Sequence, residues 1–268
     1  MRVQWRSYVA VGDSFTEGLD DIQPDGSFRG WADLVAARLA SEYRSSVAGR
    51  PPAEEQPDFR YANLAVRGRL FDNVVDDQVP ATLRMRPDLV SFAAGGNDVL
   101  RRRFDAPQLM KRFDEAIRVL RASGADVVVF RFADVTARLP GRRIILPRVE
   151  VLNREVEVVA DRHGARLVDL WNDAEFHNPQ LWSIDRLHMN AVGHRRVAAH
   201  VLTALGLEPS PGWWEVPAKL THSWAAARAA DARWVGNHLA PWVRRRLTGR
   251  SSGDQVSAKR PTLTSLLG

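Results

Sequence analysis

A serine, a glycine, an asparagine and an aspartate–histidine pair stand in that order along the chain. They are Ser14 in GDSF, Gly68 in NLAVRG, Asn97 in AAGGND, and Asp185 with His188 in SIDRLHMNAVGH. Asp185 and His188 are three residues apart, so on one turn of chain the carboxylate can reach the imidazole, fix its tautomer and stabilise the imidazolium. A histidine held in this way can take the proton of a serine hydroxyl, and the serine then becomes a nucleophile for acyl transfer. A glycine lets the backbone approach a ligand and offer its N–H, and an asparagine amide is a second fixed donor. With the N–H of Ser14 they could form an oxyanion hole. Taken singly, each block has a plainer reading: Ser14 as a helix N-cap, Gly68 as a turn, Asn97 as an Asx-turn former and Asp185–His188 as a surface ion pair.

The elements that must position these residues follow from the hydrophobic pattern. Short runs rich in Val, Leu and Phe alternate with longer segments of helical period, as in a parallel sheet covered on both faces. The runs predict five strands near Ser7–Gly12, Arg60–Leu64, Leu89–Ala93, Asp126–Phe130 and Arg166–Leu170. Helices are expected over Trp31–Tyr43, Ala106–Ser123, Arg148–His163 and Asn190–Leu205, the last three followed by glycines that suit left-handed C-caps. Ser45 to Asp58 and Ala137 to Pro147 read as surface loops. Five strands joined by helical crossovers give a three-layer α/β/α sandwich, with a ligand crevice beyond the carboxyl ends of the strands. All four polar blocks fall at that end.

Other chemistries lack their residues. Cysteine is absent, which removes disulfides, thiolate nucleophiles and thiolate metal sites. His188 and His194 are not at the i, i+4 spacing of a helical zinc pair and no HExxH occurs, so no metal site and no cofactor is expected. No GxSxG elbow surrounds Ser14, and a phosphate-binding loop and a dinucleotide fingerprint are missing. The net charge of +6 is concentrated in the tail. From Leu207 onward there are nine Lys or Arg against four Asp or Glu, which leaves 29 against 28 before it. A near-neutral body argues against an extended phosphate-binding face, so no nucleic-acid partner is expected.

The four ordered blocks together resemble the signature of the SGNH hydrolase superfamily, also called GDSL esterases/lipases, from about Tyr8 to His200. Four blocks in the right order are far more specific than any one of them. The resemblance implies a flavodoxin-like sandwich and an ester hydrolase acting on a small-molecule ester substrate. It assigns Ser14 as nucleophile, His188 as general base and then acid, Asp185 as its orienting partner, and Ser14, Gly68 and Asn97 as the oxyanion hole. The family includes hydrolases of lipids, thioesters, aryl esters and acylated sugars, so fold and triad do not choose among them. The alternative is a catalytically weak member that binds an acylated or glycan ligand, or a partner through its basic tail.

Two parts are expected: residues 1–206 as the catalytic domain, and 207–268 as a Trp/Arg-rich helical extension and tail. The tail holds five of the nine tryptophans, with a helix expected between Ala218 and Leu239 that packs Trp224 and Trp234 against the body. A sharper reading takes PWVRRRLTGR as a weak membrane-surface contact, testable by vesicle co-sedimentation at low salt. SSGDQVSAKRPTLTSLLG reads as extended or disordered. The polar MRVQWRS start does not have the character of a signal peptide, and no apolar run reaches the length of a membrane span, so a cytoplasmic protein is expected.

Overall fold

Alternation along the first strand sets the architecture. In β1 (Ser7–Gly12), Tyr8 and Ala10 belong to one hydrophobic cluster while Val9 and Val11 belong to a second, on the opposite face. A strand with both faces apolar must be covered on both sides, and it is. The computed structural model describes residues 5–48, 58–219, 233–239, 241 and 252–266. After β1 come α1 (Ser14–Glu17), α2 (Gly30–Val47), β2 (Arg60–Asn63), α3 (Phe71–Asn73), α4 (Val79–Met85), β3 (Leu89–Ala93) and α5 (Gly96–Val99). Then follow α6 (Ala106–Ala122), β4 (Asp126–Arg131), α7 (Arg142–His163), β5 (Arg166–Asp169), α8 (Ala191–Ala204) and β6 (Arg260–Ser265). Helices α2 and α8 cover one face through Trp31, Val35, Leu39, Val197 and Val201; α6 and α7 cover the other through Phe113, Ile117, Leu152 and Val156. Among the described residues no helix is long and apolar enough to cross a membrane.

The sheet order is β5-β4-β3-β1-β2-β6, with β1 to β5 parallel. The five expected strands are therefore joined by a sixth, and the expectation of five is corrected. β6 pairs antiparallel with β2, from the segment read as extended or disordered. Its residues are exposed or half-buried throughout, so no apolar alternation marks it, and its partner lies some 200 residues earlier in the chain. An edge position also tolerates Pro261, which has no N–H to give the ladder. The loop expected over Ala137 to Pro147 is corrected as well. α7 begins at Arg142 and runs through Pro147, whose missing N–H removes one backbone bond near the helix start. Of the helix expected between Ala218 and Leu239, most lies outside the described residues, as does Trp224; residues 233–239 are helical.

The chain reverses direction across the sheet between β1 and β3, which are neighbours although β2 separates them in sequence. A crevice opens at such a switch point, beyond the strand carboxyl ends. Gly12 and Ala93 close the two strands in register there, so closely that a Cβ on Gly12 would lie 2.5 Å from the Ala93 carbonyl oxygen. Gln78 secures the end of β1, accepting from the Gly12 N–H and donating to its carbonyl, both at 2.9 Å.

Candidate active site

Ser14 is the first residue of α1, immediately after the Gly12–Asp13 turn. Asp13 is the N-cap, its carboxylate accepting from the Phe15 N–H at 3.1 Å. The N-cap role considered for Ser14 thus belongs to its neighbour, and the serine hydroxyl is left for other work. As the first helical residue, Ser14 also has a backbone N–H without an acceptor inside the helix. α1 ends after one turn at Gly18, whose backbone touches that of Gly30 at the head of α2; a Cβ on either would lie within 2.5 Å of the other's Cα.

The acid–base pair arrives from the other end of the sequence. After β5 the chain makes two short 3-10 turns, and a bridge between Trp182 and Met189 closes the loop that carries Asp185 and His188. One carboxylate oxygen of Asp185 accepts from the backbone N–H groups of Leu187 and His188, at 2.9 and 3.0 Å. The other accepts from His188 Nδ1–H at 2.5 Å, which leaves Nε2 as the acceptor for the Ser14 hydroxyl at 2.9 Å. Ser14 is largely buried, 7 % exposed, and lines a pocket.

The electrostatics follow from that chain of bonds. Burial alone would push His188 down, but the hydrogen bond and charge of Asp185, with Asp20 and Asp13 beyond, raise its pKa above the ordinary imidazole value. Burial would push Asp185 up, and its bonds to His188 and to the backbone hold it below the usual carboxylate range instead. Asp13 is raised to about 6 by burial. Atoms of Asp20, Asp185 and His188 lie within 4.8 Å of one another, a grouping that could in principle hold a cation. Both His188 nitrogens and both Asp185 oxygens are already engaged, however, and we assign no metal there. His194 is not a ligand either. It is buried and lowered to about 4, with Nδ1 accepting from the Trp31 N–H and Nε2–H donating to the Leu19 carbonyl.

Asn97 sits on α5, directly beyond β3. Its amide donates to Asp13 at 3.1 Å and to the Arg69 carbonyl at 3.0 Å. The first bond places it beside the nucleophile's turn and the second ties it to the loop of Gly68, one residue before Arg69. Gly68 has a φ of +73°, a conformation that favours glycine, and it stands outside the residues lining the pocket next to Ser14. That pocket runs from Ser14, Asn97 and His188 to an apolar wall made by Phe132, Val135, Val149, Leu152, Leu170 and Trp182. Sequence reasoning missed Asp13 as the partner of Asn97 and missed the Glu17–Arg67 ion pair that joins the first block to the second. The acidic residue before the serine was a signal for the first. Nothing in the sequence signalled the second.

Residues 10–196 match the profile of the GDSL-like Lipase/Acylhydrolase family. Among solved structures, the chain is similar to LAE5, an alpha/beta hydrolase enzyme from the metagenome of Lake Arreo, Spain, at 22 % identity and a TM-score of 0.61; 76 % of this chain and 96 % of that one are covered. TesA is similar at 23 % identity and a TM-score of 0.58, covering 74 % and 97 %. A catalytic mutant of Axe2, an acetylxylan esterase from Geobacillus stearothermophilus, is similar at 16 % identity and a TM-score of 0.60, covering 79 % and 97 %. At these identities the likeness is one of fold. No curated protein matches the chain in sequence.

Proposed function

The chain belongs to the GDSL-like lipase/acylhydrolase family and is a carboxylic ester hydrolase, and we propose that it works through an acyl-enzyme on Ser14, with His188 as base and acid and Asp185 as its orienting partner. The observation that carries this reading is the unbroken line of hydrogen bonds from Asp185 through His188 to the Ser14 hydroxyl. His188 Nε2 takes the Ser14 proton as the oxygen attacks the ester carbonyl, and then gives it to the leaving alcohol. Water then takes the place of the departed alcohol: His188 Nε2 takes its proton as it attacks the acyl carbon, and returns that proton to Ser14 Oγ as the ester bond to the serine breaks and the acid leaves. The Ser14 N–H, the Gly68 N–H and the Asn97 amide are the proposed donors to the tetrahedral oxyanion.

Both amide hydrogens of Asn97 have acceptors in the resting enzyme, so to hold an oxyanion one of them must turn from Asp13 or Arg69 or be shared. Asn97→Ala is expected to lower kcat about a hundredfold, the usual effect of losing one oxyanion donor. Full turnover by that variant on the preferred ester would remove Asn97 from the role.

The pocket supports a more specific acyl group. A wall of six apolar side chains gives nothing for a sugar hydroxyl to bond with but buries methylenes well, at roughly fourfold in binding per methylene. We therefore place the acyl chain, not a polar alcohol, against Phe132, Val135 and Leu152. In a series of p-nitrophenyl esters, kcat/KM is expected to rise from acetate to about hexanoate. Val135 is half-buried on the pocket wall. Val135→Trp is expected to move the preference back toward acetate while the rate on acetate stays within about threefold. A preference for acetate in the parent enzyme would overturn this placement.

A further inference from the structure

Described residues after 232 touch the turn of Asp185 and His188, the segment ahead of Gly68 and the end of the helix that begins at Ser14. Trp234 is buried, and its indole N–H donates to the carbonyl of Asp185 at 2.9 Å. The guanidinium of Arg186 lies over the same ring, 4.8 Å from its centroid. Gly253 packs so tightly on the segment ahead of Gly68 that a Cβ there would lie 2.0 Å from the Arg67 carbonyl oxygen. Lys259 Nζ donates to the carbonyls of Glu17, Phe28 and Arg29 at 2.5, 3.0 and 2.9 Å, and pairs with the Asp33 carboxylate at 2.6 Å.

Each contact falls where the site is under constraint. Glu17 ends the one-turn helix that begins at Ser14, and its carboxylate pairs with Arg67 of the second block. The Lys259 ammonium thus gathers the end of the nucleophile's helix and the start of α2, at the junction where Gly18 and Gly30 touch. Arg186 has a φ of +65°, a left-handed conformation that costs a non-glycine residue energy and persists only where its surroundings hold it. The Trp234 indole holds the peptide just before it, in the same turn whose carboxylate orients His188.

We propose that Trp234 and Lys259 act as an internal brace for the catalytic loops, positioning residues that keep His188 and Ser14 at reacting distance. The proposal rests on the reading of Ser14 and His188 as the reacting pair. A brace differs from a merely stabilising tail in what its loss changes. Weakening it loosens the Ser14–His188 geometry, so the chemical step slows while ester binding in the apolar pocket is kept.

The test uses the full chain with single substitutions. Trp234→Phe keeps the ring and removes the donor; Lys259→Met keeps the length and removes the charge. Each is expected to lower kcat about fivefold or more, with KM within twofold and with active enzyme counted by fluorophosphonate titration. The rate of inactivation by fluorophosphonate should fall in parallel. Thr262→Ala, exposed on β6, should leave both rates unchanged. If Trp234→Phe and Lys259→Met keep the parent kcat and inactivation rate within twofold, whatever their melting temperatures, the brace is refuted and the tail only stabilises. Should Lys259→Met fail to fold, Trp234→Phe decides alone. Ser14→Ala run beside them separates the two ideas: retained hydrolysis in that variant would refute the reacting pair and the brace with it, whereas activity lost there but kept in Trp234→Phe and Lys259→Met would refute the brace alone.

Discussion

Ser14→Ala is expected to lower ester hydrolysis by about four orders of magnitude or more and to abolish fluorophosphonate labelling, in a protein that still folds. The size of the effect follows from the proposed mechanism: without the hydroxyl there is no atom to carry the acyl group, and what remains is background water attack assisted by the oxyanion donors. The fold survives because the side chain removed is not structural. Asp13, and not Ser14, caps α1, and the helix termini rest on Gly12, Gly18 and the Gln78 bonds to the strand end. The methyl of alanine fits where the serine Cβ already sits. The melting temperature is therefore expected to shift by no more than about 3 °C. Paired assays on p-nitrophenyl esters, with scanning calorimetry on the same samples, test this directly. A folded Ser14→Ala enzyme with a tenth of the parent rate would mean that another group carries the acyl transfer.

How much of this site can be read in the sequence depends on how local its causes are. Asp185 and His188 are three residues apart, so their bond is a property of one turn and is visible in the spacing. Ser14 and Asn97 are visible for a different reason. Each stands directly after an apolar run, and the topology of a parallel sheet carries all such positions to one edge. The strands β1 to β4 are legible because both of their faces are buried and their composition says so, and β5 because Leu167 and Val168 pack on opposite faces. β6 is not, since an edge strand of half-exposed residues resembles any polar tail until the unpaired edge of β2 is known to be waiting. The start of α7 is hidden behind Pro147, which reads as a boundary although a helix can carry a proline near its N-terminus at the loss of one bond. Trp234 and Lys259 act on carbonyl oxygens of residues 49 and more than 200 positions away. A carbonyl is present at every residue, so no sequence pattern could have named those partners.

Asp185→Asn is expected to cost nearly as much as losing the nucleophile, about ten-thousandfold in kcat, although it replaces an oxygen with a nitrogen of almost equal size. The local backbone explains why. One side-chain oxygen of residue 185 accepts from the Leu187 and His188 N–H groups, so in the variant the amide oxygen takes that position and the NH2 group faces His188 Nδ1. Nδ1 must then become an acceptor, and the ring proton moves to Nε2. A proton on Nε2 points at the Ser14 hydroxyl, where the mechanism needs a lone pair. The pH profile provides an independent check with a definite sign. His188 acts as a base only when neutral, so kcat/KM rises with pH through its pKa, and the raised pKa puts that limb above the ordinary imidazole midpoint in the parent enzyme. Removing the Asp185 charge leaves burial opposed only by the more distant Asp20 and Asp13, and the limb of the residual activity should move to lower pH. Rate measurements on a pre-titrated enzyme between pH 5 and 9 would show both effects. A variant within tenfold of the parent, or an acid limb that does not move, would mean that Asp185 does not orient His188 in the reaction.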